Sequence, residues 1–340
     1  MATTTPLVGL DEISAARERI AGRVHRTPLL SSATAARFIA AAGGPRLGDD
    51  RLYLKAEHLQ KTGSFKARGM TNRIATLDAE QRSRGAITMS AGNAGQAYAW
   101  AAREVGVPMT VVMAVGANPT KVAACRGYGA EVVLEGEHVG DAFAALERIR
   151  AERGLTFTHP FEDGAVIAGH GSVGLEILED LPEVDVVVVG IGGGGLISGV
   201  AAALKESRPS VRVVGVEPVG AAAMTQAYEA GAPVTIQPRT VADGLAAPFA
   251  GERTLAMCRR YLDGIVLLDD PEILSGVRFA LERMKQGLEP AGAAALAAVL
   301  LGRIPITDGE RVAVVGSGGN LDVGRVGELL AAAAPLPGAT

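Results

Sequence analysis

The chain is short of the residues that would place it in several functional classes. Its 340 residues include two cysteines, one tryptophan and only 4% aromatic side chains. Cys125 and Cys258 stand alone, outside any CxxC or CxxH spacing, so neither a disulfide framework nor a cysteine zinc site is expected and both read as packing residues. Basic charge is not in excess: 33 Lys and Arg against 37 Asp and Glu give a formal charge of −4. The positive field that a nucleic-acid backbone requires is therefore missing, and nucleic acid is not an expected partner. No apolar run reaches the ~20 residues of a bilayer span. The longest, residues 291–301, is Ala-rich and reads as a buried helix, so no membrane association is expected. The start MATTTPLVGLDEISAARERI lacks a basic stretch followed by an apolar one. No signal peptide is expected, and the expected compartment is the cytoplasm.

What is present is apolar surface and glycine. Hydrophobic residues make up 48% of the chain, ample for a core, and the length sets a prior of about two domains. Short β-branched runs at residues 86–89, 110–113, 131–134, 185–189, 211–216, 265–268 and 312–315 alternate with longer Ala-rich segments of helical period. This alternation predicts an α/β architecture with parallel sheets. The runs DVVVV and VRVVGV are apolar on both faces, as strands covered by helices on both sides should be. Proline at first helical turns punctuates the helices: Asn118-Pro119, Asp270-Pro271 and Glu289-Pro290 each open one. Residues 231–251 are irregular and rich in Pro and Gly, too long for an ordinary connection, and read as a functional loop or covering segment.

Several strand-to-helix turns carry possible chemistry. Gly190-Ile191-Gly192-Gly193-Gly194-Gly195 follows DVVVV and precedes an Ala-rich helix, so its backbone N–H groups form an anion cradle. It contains the dinucleotide pattern GxGxxG, and Glu217 ends the next strand at about the 20-residue spacing of a ribose-binding acid. An NAD-dependent dehydrogenase is thus a serious rival reading. Against it, a dinucleotide fold usually opens its domain with this turn, whereas here a whole α/β block lies upstream. In KTGSFKARGMTNRI, Lys66 falls in a first helical turn with Ser64 as the expected cap. The helix dipole and the neighbouring Lys61 and Arg68 favour its neutral amine, a nucleophile able to form a Schiff base with an aldehyde cofactor. Ser90-Ala91-Gly92-Asn93 offers a second anion cup of carboxylate size, and Gly316-Ser317-Gly318-Gly319-Asn320 presents one hydroxyl among glycines at a third strand end.

The motifs SFKARG, SAGN, HPFED, GLEIL, GGGGL, VEP, ADGL, EPAGA and SGGN occur in that order. In this set and order the chain resembles the fold-type II pyridoxal-phosphate enzymes of the threonine/serine dehydratase and serine racemase group, over nearly its whole length. The resemblance implies an α/β fold of two domains with mostly parallel open sheets flanked by helices, the tryptophan synthase β-like architecture. Residues 1–83 and 158–340 would form the large cofactor domain and residues 84–157 the small substrate-carboxylate domain. It implies pyridoxal 5′-phosphate as cofactor, with Lys66 as its Schiff-base lysine and the base for the α-proton, and Phe65 beside it. Gly192, Gly193, Gly194, Gly195 and Leu196 would hold the phosphate, Asn93 the ring 3-oxygen, and Ser317 the pyridine nitrogen. Ser90, Ala91, Gly92 and Asn93 would hold the substrate carboxylate. The implied reaction is β-elimination of an L-β-hydroxy-α-amino acid, L-threonine or L-serine, to a 2-oxo acid and ammonia, by a homodimer or higher homo-oligomer.

Departures from the family pattern sharpen this. Ala94 stands where the family usually has histidine. Ala91 stands where racemases of the group carry a serine as second acid/base, which favours elimination over inversion. Glu217 matches a family metal ligand, but Ala223 stands where an aspartate is expected, so no tight metal site is expected. His170 replaces a frequent glutamine and reads as a packed neutral residue. A dehydratase for hydroxyaspartate or phenylserine, a serine racemase, the NAD-dependent dehydrogenase and a non-catalytic amino-acid sensor remain as alternatives.

Overall fold

The computed structural model describes residues 6–337. Its strands, in chain order, are β1 (Leu29–Ser32), β2 (Leu52–Lys55), β3 (Ala86–Met89), β4 (Met109–Met113), β5 (Glu131–Leu134), β6 (Thr156–Phe157), β7 (Val186–Gly190), β8 (Arg212–Pro218), β9 (Gly264–Leu268) and β10 (Val312–Val315). They form two sheets. The larger runs β1-β2-β10-β7-β8-β9 and the smaller β5-β4-β3-β6. Only the β1–β2 pairing is antiparallel among the described residues. Residues 86–157 build the small sheet alone, while the large sheet takes strands from both sides of that segment.

Helices cover both faces of the large sheet, and the strands alternate between them. Val186, Val188, Val214, Val312 and Val314 pack toward the helix Pro290–Leu300, whose alanines are almost wholly buried. Val187, Val189, Val213, Ala313 and Val315 pack on the other side, toward the helices Gly164–Asp180 and Gly195–Ser207. This two-sided burial is why DVVVV is apolar throughout. Asn118 caps the helix Pro119–Gly127 through its side chain, and Asp269 caps Asp270–Phe279, close to where the prolines had placed those starts.

The differences from the sequence reading are local. The strands β1, β2 and β6 were not predicted. They are short, and β2 carries Lys55, a charge that hides its buried character. The Lys55 amine is fully buried because it donates to Glu176 and to the Thr27 carbonyl, each at 2.6 Å. Ser64 does not cap the helix Lys66–Ala75. Its residue is extended and bridges to Gly318 across an isolated antiparallel pair, so Phe65 takes the cap position without a side-chain bond. The same bridge, with Phe65 N donating to Ser317 O at 3.0 Å, fastens the start of the lysine helix to the loop after β10.

The lysine helix is also held from behind. A Cβ on Gly169 would lie 2.8 Å from the Arg68 carbonyl, so only glycine lets the helix Gly164–Asp180 approach so closely. Arg68 itself turns away from Lys66 into a buried cluster, donating to Glu57 at 2.8 Å and Glu176 at 2.7 Å. Breaking such a buried pair is costly because it strands a charge, so the first turn of this helix is fixed in place.

Candidate active site

One cavity of about 510 Å³ opens between the two sheets, at the carboxyl ends of β3, β7 and β10. Phe65, Lys66, Ser90, Ala91, Gly92, Asn93, Gly192, Gly193, Gly194, Gly195, Leu196 and Ser317 all line it. The structure therefore brings these twelve residues, the expected lysine, phosphate, ring and carboxylate contacts, to one space, although they come from four separate segments of the chain.

Lys66 opens its helix and reaches into the cavity, where Nζ donates to the Pro160 carbonyl at 2.8 Å and lies 5.1 Å from the Phe65 ring centre. Desolvation by the surrounding protein lowers its amine to about 8. The direction matches the sequence expectation, but the cause differs: Arg68 is neutralised by its carboxylates, and burial does the work assigned to like charge. Pro160 is aimed by its neighbour His159, whose Nδ1 accepts from Phe161 N at 3.2 Å and Glu162 N at 2.8 Å. Burial and the Lys66 charge push His159 down to about 4, so it is neutral and remains an acceptor.

The glycine turn leaves β7 and enters the helix Gly195–Ser207. Gly194 has φ +90°, and a Cβ on Gly193 would lie 2.4 Å from the Phe161 ring. The glycines are thus required on the protein side, by packing. On the cavity side, among the described residues, the N–H groups of Gly192, Gly193, Gly194 and Gly195 have no protein acceptor. A phosphate fits such a cradle of unpaired donors at a helix start.

The loop between β3 and the helix Asn93–Arg103 supplies the opposite rim. Gly92 N donates to Ser90 Oγ at 3.2 Å, which curls the loop around its own backbone. Asn93 is buried, and its side chain donates to Glu289 at 2.6 Å. Glu289, at the start of the helix Pro290–Leu300, was not assigned a role from the sequence. Burial, then the nearby Asp243 charge, raises its carboxyl to about 7. Asp243 and Lys121 also line the cavity and form an ion pair across its mouth. Asp243 lies in the Pro/Gly-rich segment read from sequence as a functional or covering loop, and residues 243–248 of that segment do line the cavity.

His170 and Glu217 lie outside the cavity. His170 is fully buried and stacks edge-on against Phe65 at 4.7 Å, behind the cavity wall rather than in it. Glu217 accepts from Met224 N, Thr225 N and Thr225 Oγ1 at 2.8, 2.9 and 2.6 Å, which caps the helix Ala223–Ala230.

A partly buried lysine with a lowered amine, lining the same cavity as a cradle of unpaired N–H donors together with Asn93 and Ser317, suits an aldehyde cofactor that carries a phosphate. A family model described as pyridoxal-phosphate dependent enzyme matches residues 20–318, and the chain belongs to that family. The dinucleotide reading of the glycine turn is thereby overturned. Among individual relatives, the L-threonine ammonia-lyase of Thermotoga maritima is 42% identical over 325 residues, which cover 95% of this chain and 78% of that protein. The L-threonine dehydratase catabolic TdcB of Escherichia coli K12 is 38% identical, covering 95% and 96%. Of solved structures, maize serine racemase superposes with a TM-score of 0.88 at 36% identity, over 95% of this chain and 97% of that one. The threonine deaminase of T.th. gives 0.84 at 39%, over 92% and 99%. Among the described residues no helix is long and apolar enough to cross a membrane.

Proposed function

We propose that the chain is an L-threonine ammonia-lyase that releases ammonia and leaves a 2-oxo acid. The observation that carries this is the pairing of Lys66, its amine lowered to about 8, with the unpaired glycine donors across one cavity, in a chain 42% identical to an L-threonine ammonia-lyase. When bound, pyridoxal phosphate supplies an electron sink for the pair left when the α C–H bond breaks. Gly192, Gly193, Gly194 and Gly195 would hold its phosphate through backbone N–H groups, Asn93 its ring oxygen and Ser317 Oγ its ring nitrogen.

Lys66 Nζ takes the α-proton. Its lowered basicity keeps a useful fraction neutral near pH 7, as a general base needs. The backbone donors of residues 90–93 fix the substrate carboxylate and so orient the α C–H bond toward Nζ. Ala91 presents a methyl group, so the position at which racemases of the group carry a serine has no hydroxyl to return a proton from the opposite face, while the neighbouring Ser90 Oγ is engaged by Gly92 N at 3.2 Å. Inversion is disfavoured and loss of the β-hydroxyl is favoured. We place the carboxylate loop in a small domain of residues 84–157, beside a large cofactor domain of residues 1–83 and 158–340; the self-contained small sheet supports that division.

The test is a substrate panel on the cofactor-loaded protein: L-threonine, L-serine, hydroxyaspartate and phenylserine, with 2-oxo acid and ammonia followed together, and D-serine measured by chiral chromatography. Fastest 2-oxobutanoate release from L-threonine supports the reading. D-serine as the main product from L-serine would replace it with a racemase.

A further inference from the structure

Behind Asn93 a chain of hydrogen bonds starts from one backbone carbonyl. The Thr62 carbonyl accepts from Asn320 Nδ2 at 2.8 Å, and the same Nδ2 donates to Asn93 Oδ1 at 2.8 Å. Asn93 Nδ2 then donates to Glu289 Oε1 at 2.6 Å. The polarity of each link follows from the first. A carbonyl oxygen only accepts, so the Asn320 atom facing Thr62 is its NH2 group. That group only donates, so the Asn93 atom facing it is the oxygen. The Asn93 NH2 is left pointing toward Glu289 and the cavity, with one hydrogen for the carboxylate and one for a group bound in the cavity. An isolated asparagine has no such fixed sense, since its two amide orientations have nearly the same shape.

The backbone is built around this chain. Thr62 has φ +57°, a left-handed conformation that β-branched residues rarely adopt, and it aims the carbonyl. Gly63 follows at φ +74°, and a Cβ there would lie 2.3 Å from Asn320 Oδ1. Gly319 N donates to Gly63 O at 2.9 Å, which binds the loop carrying Asn320 to the turn that carries Thr62.

We propose that Asn320 is a positioning residue which, held by the Thr62 carbonyl, fixes the Asn93 amide so that its NH2 group and not its oxygen is offered to the cofactor ring oxygen. This rests on the reading of the cavity as that of a pyridoxal-phosphate ammonia-lyase. Asn320 itself touches neither substrate nor cofactor and acts through Asn93.

The experiment compares cofactor-loaded wild type, Asn320→Asp and Asn320→Ala. Asn320→Asp keeps the size but removes the donor, so Asn93 turns its NH2 toward residue 320 and its oxygen toward the cavity. The expected result is a kcat for L-threonine lower by about ten- to a hundred-fold, the scale of one charge-assisted hydrogen bond. KM should change by less than about three-fold, and the visible band of the bound cofactor should shift in position or in pH midpoint. Asn320→Ala leaves Asn93 free to adopt either sense and should fall between the two; it carries the same test if Asn320→Asp does not fold. A lower thermal midpoint with the band, its pH midpoint and kcat unchanged in the folded variants shows a structural role only and overturns the proposal. If wild type neither takes up pyridoxal phosphate nor consumes L-threonine, the underlying reading fails and the proposal with it, an outcome visible without any variant.

Discussion

Glu289 makes stability depend on pH in a way that one substitution should remove. The residue is 3% exposed, and burial followed by the Asp243 charge raises its carboxyl from 4.5 to about 7. The raised value means that, between those two pH values, the folded chain keeps a proton that the unfolded chain has released. Stability therefore falls as pH rises through that window, and the full penalty is present above pH 7. A shift of this size corresponds to about 3 kcal/mol at 1.36 kcal/mol per pH unit. Glu289→Gln preserves the shape and can still accept from Asn93, but it has no proton to release. Relative to wild type, it should gain about 2.5 kcal/mol on going from pH 5 to pH 8, the remainder of the penalty being already present at pH 5. The assay is denaturant unfolding at pH 5, 6, 7 and 8 on the cofactor-free chain, because bound cofactor adds its own linkage. Parallel stability curves for wild type and Glu289→Gln across this range would refute the reasoning.

Two further predictions concern the cavity walls. Lys66, lowered to about 8 by burial, should attach added pyridoxal phosphate about ten times faster at pH 9 than at pH 7, levelling off above pH 8, because the neutral amine is the nucleophile; an unperturbed lysine would still be climbing steeply at pH 9, and stopped-flow absorbance distinguishes the two. Gly193→Ala places a Cβ 2.4 Å from the Phe161 ring; overpacking of this kind costs about 1–3 kcal/mol, and the displaced loop should also weaken cofactor affinity, measured by equilibrium titration.

The architecture was legible where strands were β-branched and buried on both faces. The bounds of β3, β5 and β10 coincide with the sequence expectation, and β4, β7, β8 and β9 differ by a residue or two at an end. It was not legible at β2, where Lys55 looks like a surface residue until its partner Glu176, on the helix Gly164–Asp180, is known. The same limit explains what was missed in the cavity. Lys66 and the glycine turn announce themselves through local spacing, since a helix start and a run of N–H groups are properties of neighbouring residues. Glu289 and Asn320 lie in quoted motifs, yet each gains its meaning from Asn93, 196 and 227 residues away in the chain. The lowered Lys66 amine had the right direction for a different reason, because the sequence shows the Arg68 charge but not the Glu57 and Glu176 carboxylates that neutralise it.

The central claim is that Lys66 both holds the cofactor and moves the α-proton of L-threonine. The most direct measurement is the visible spectrum of the purified protein loaded with pyridoxal phosphate, before and after L-threonine, with 2-oxobutanoate followed in parallel for wild type and Lys66→Ala. A yellow wild-type protein whose band shifts with substrate and yields the oxo acid, beside a Lys66→Ala protein that yields none, is the predicted result. Undiminished 2-oxobutanoate production by Lys66→Ala would contradict it.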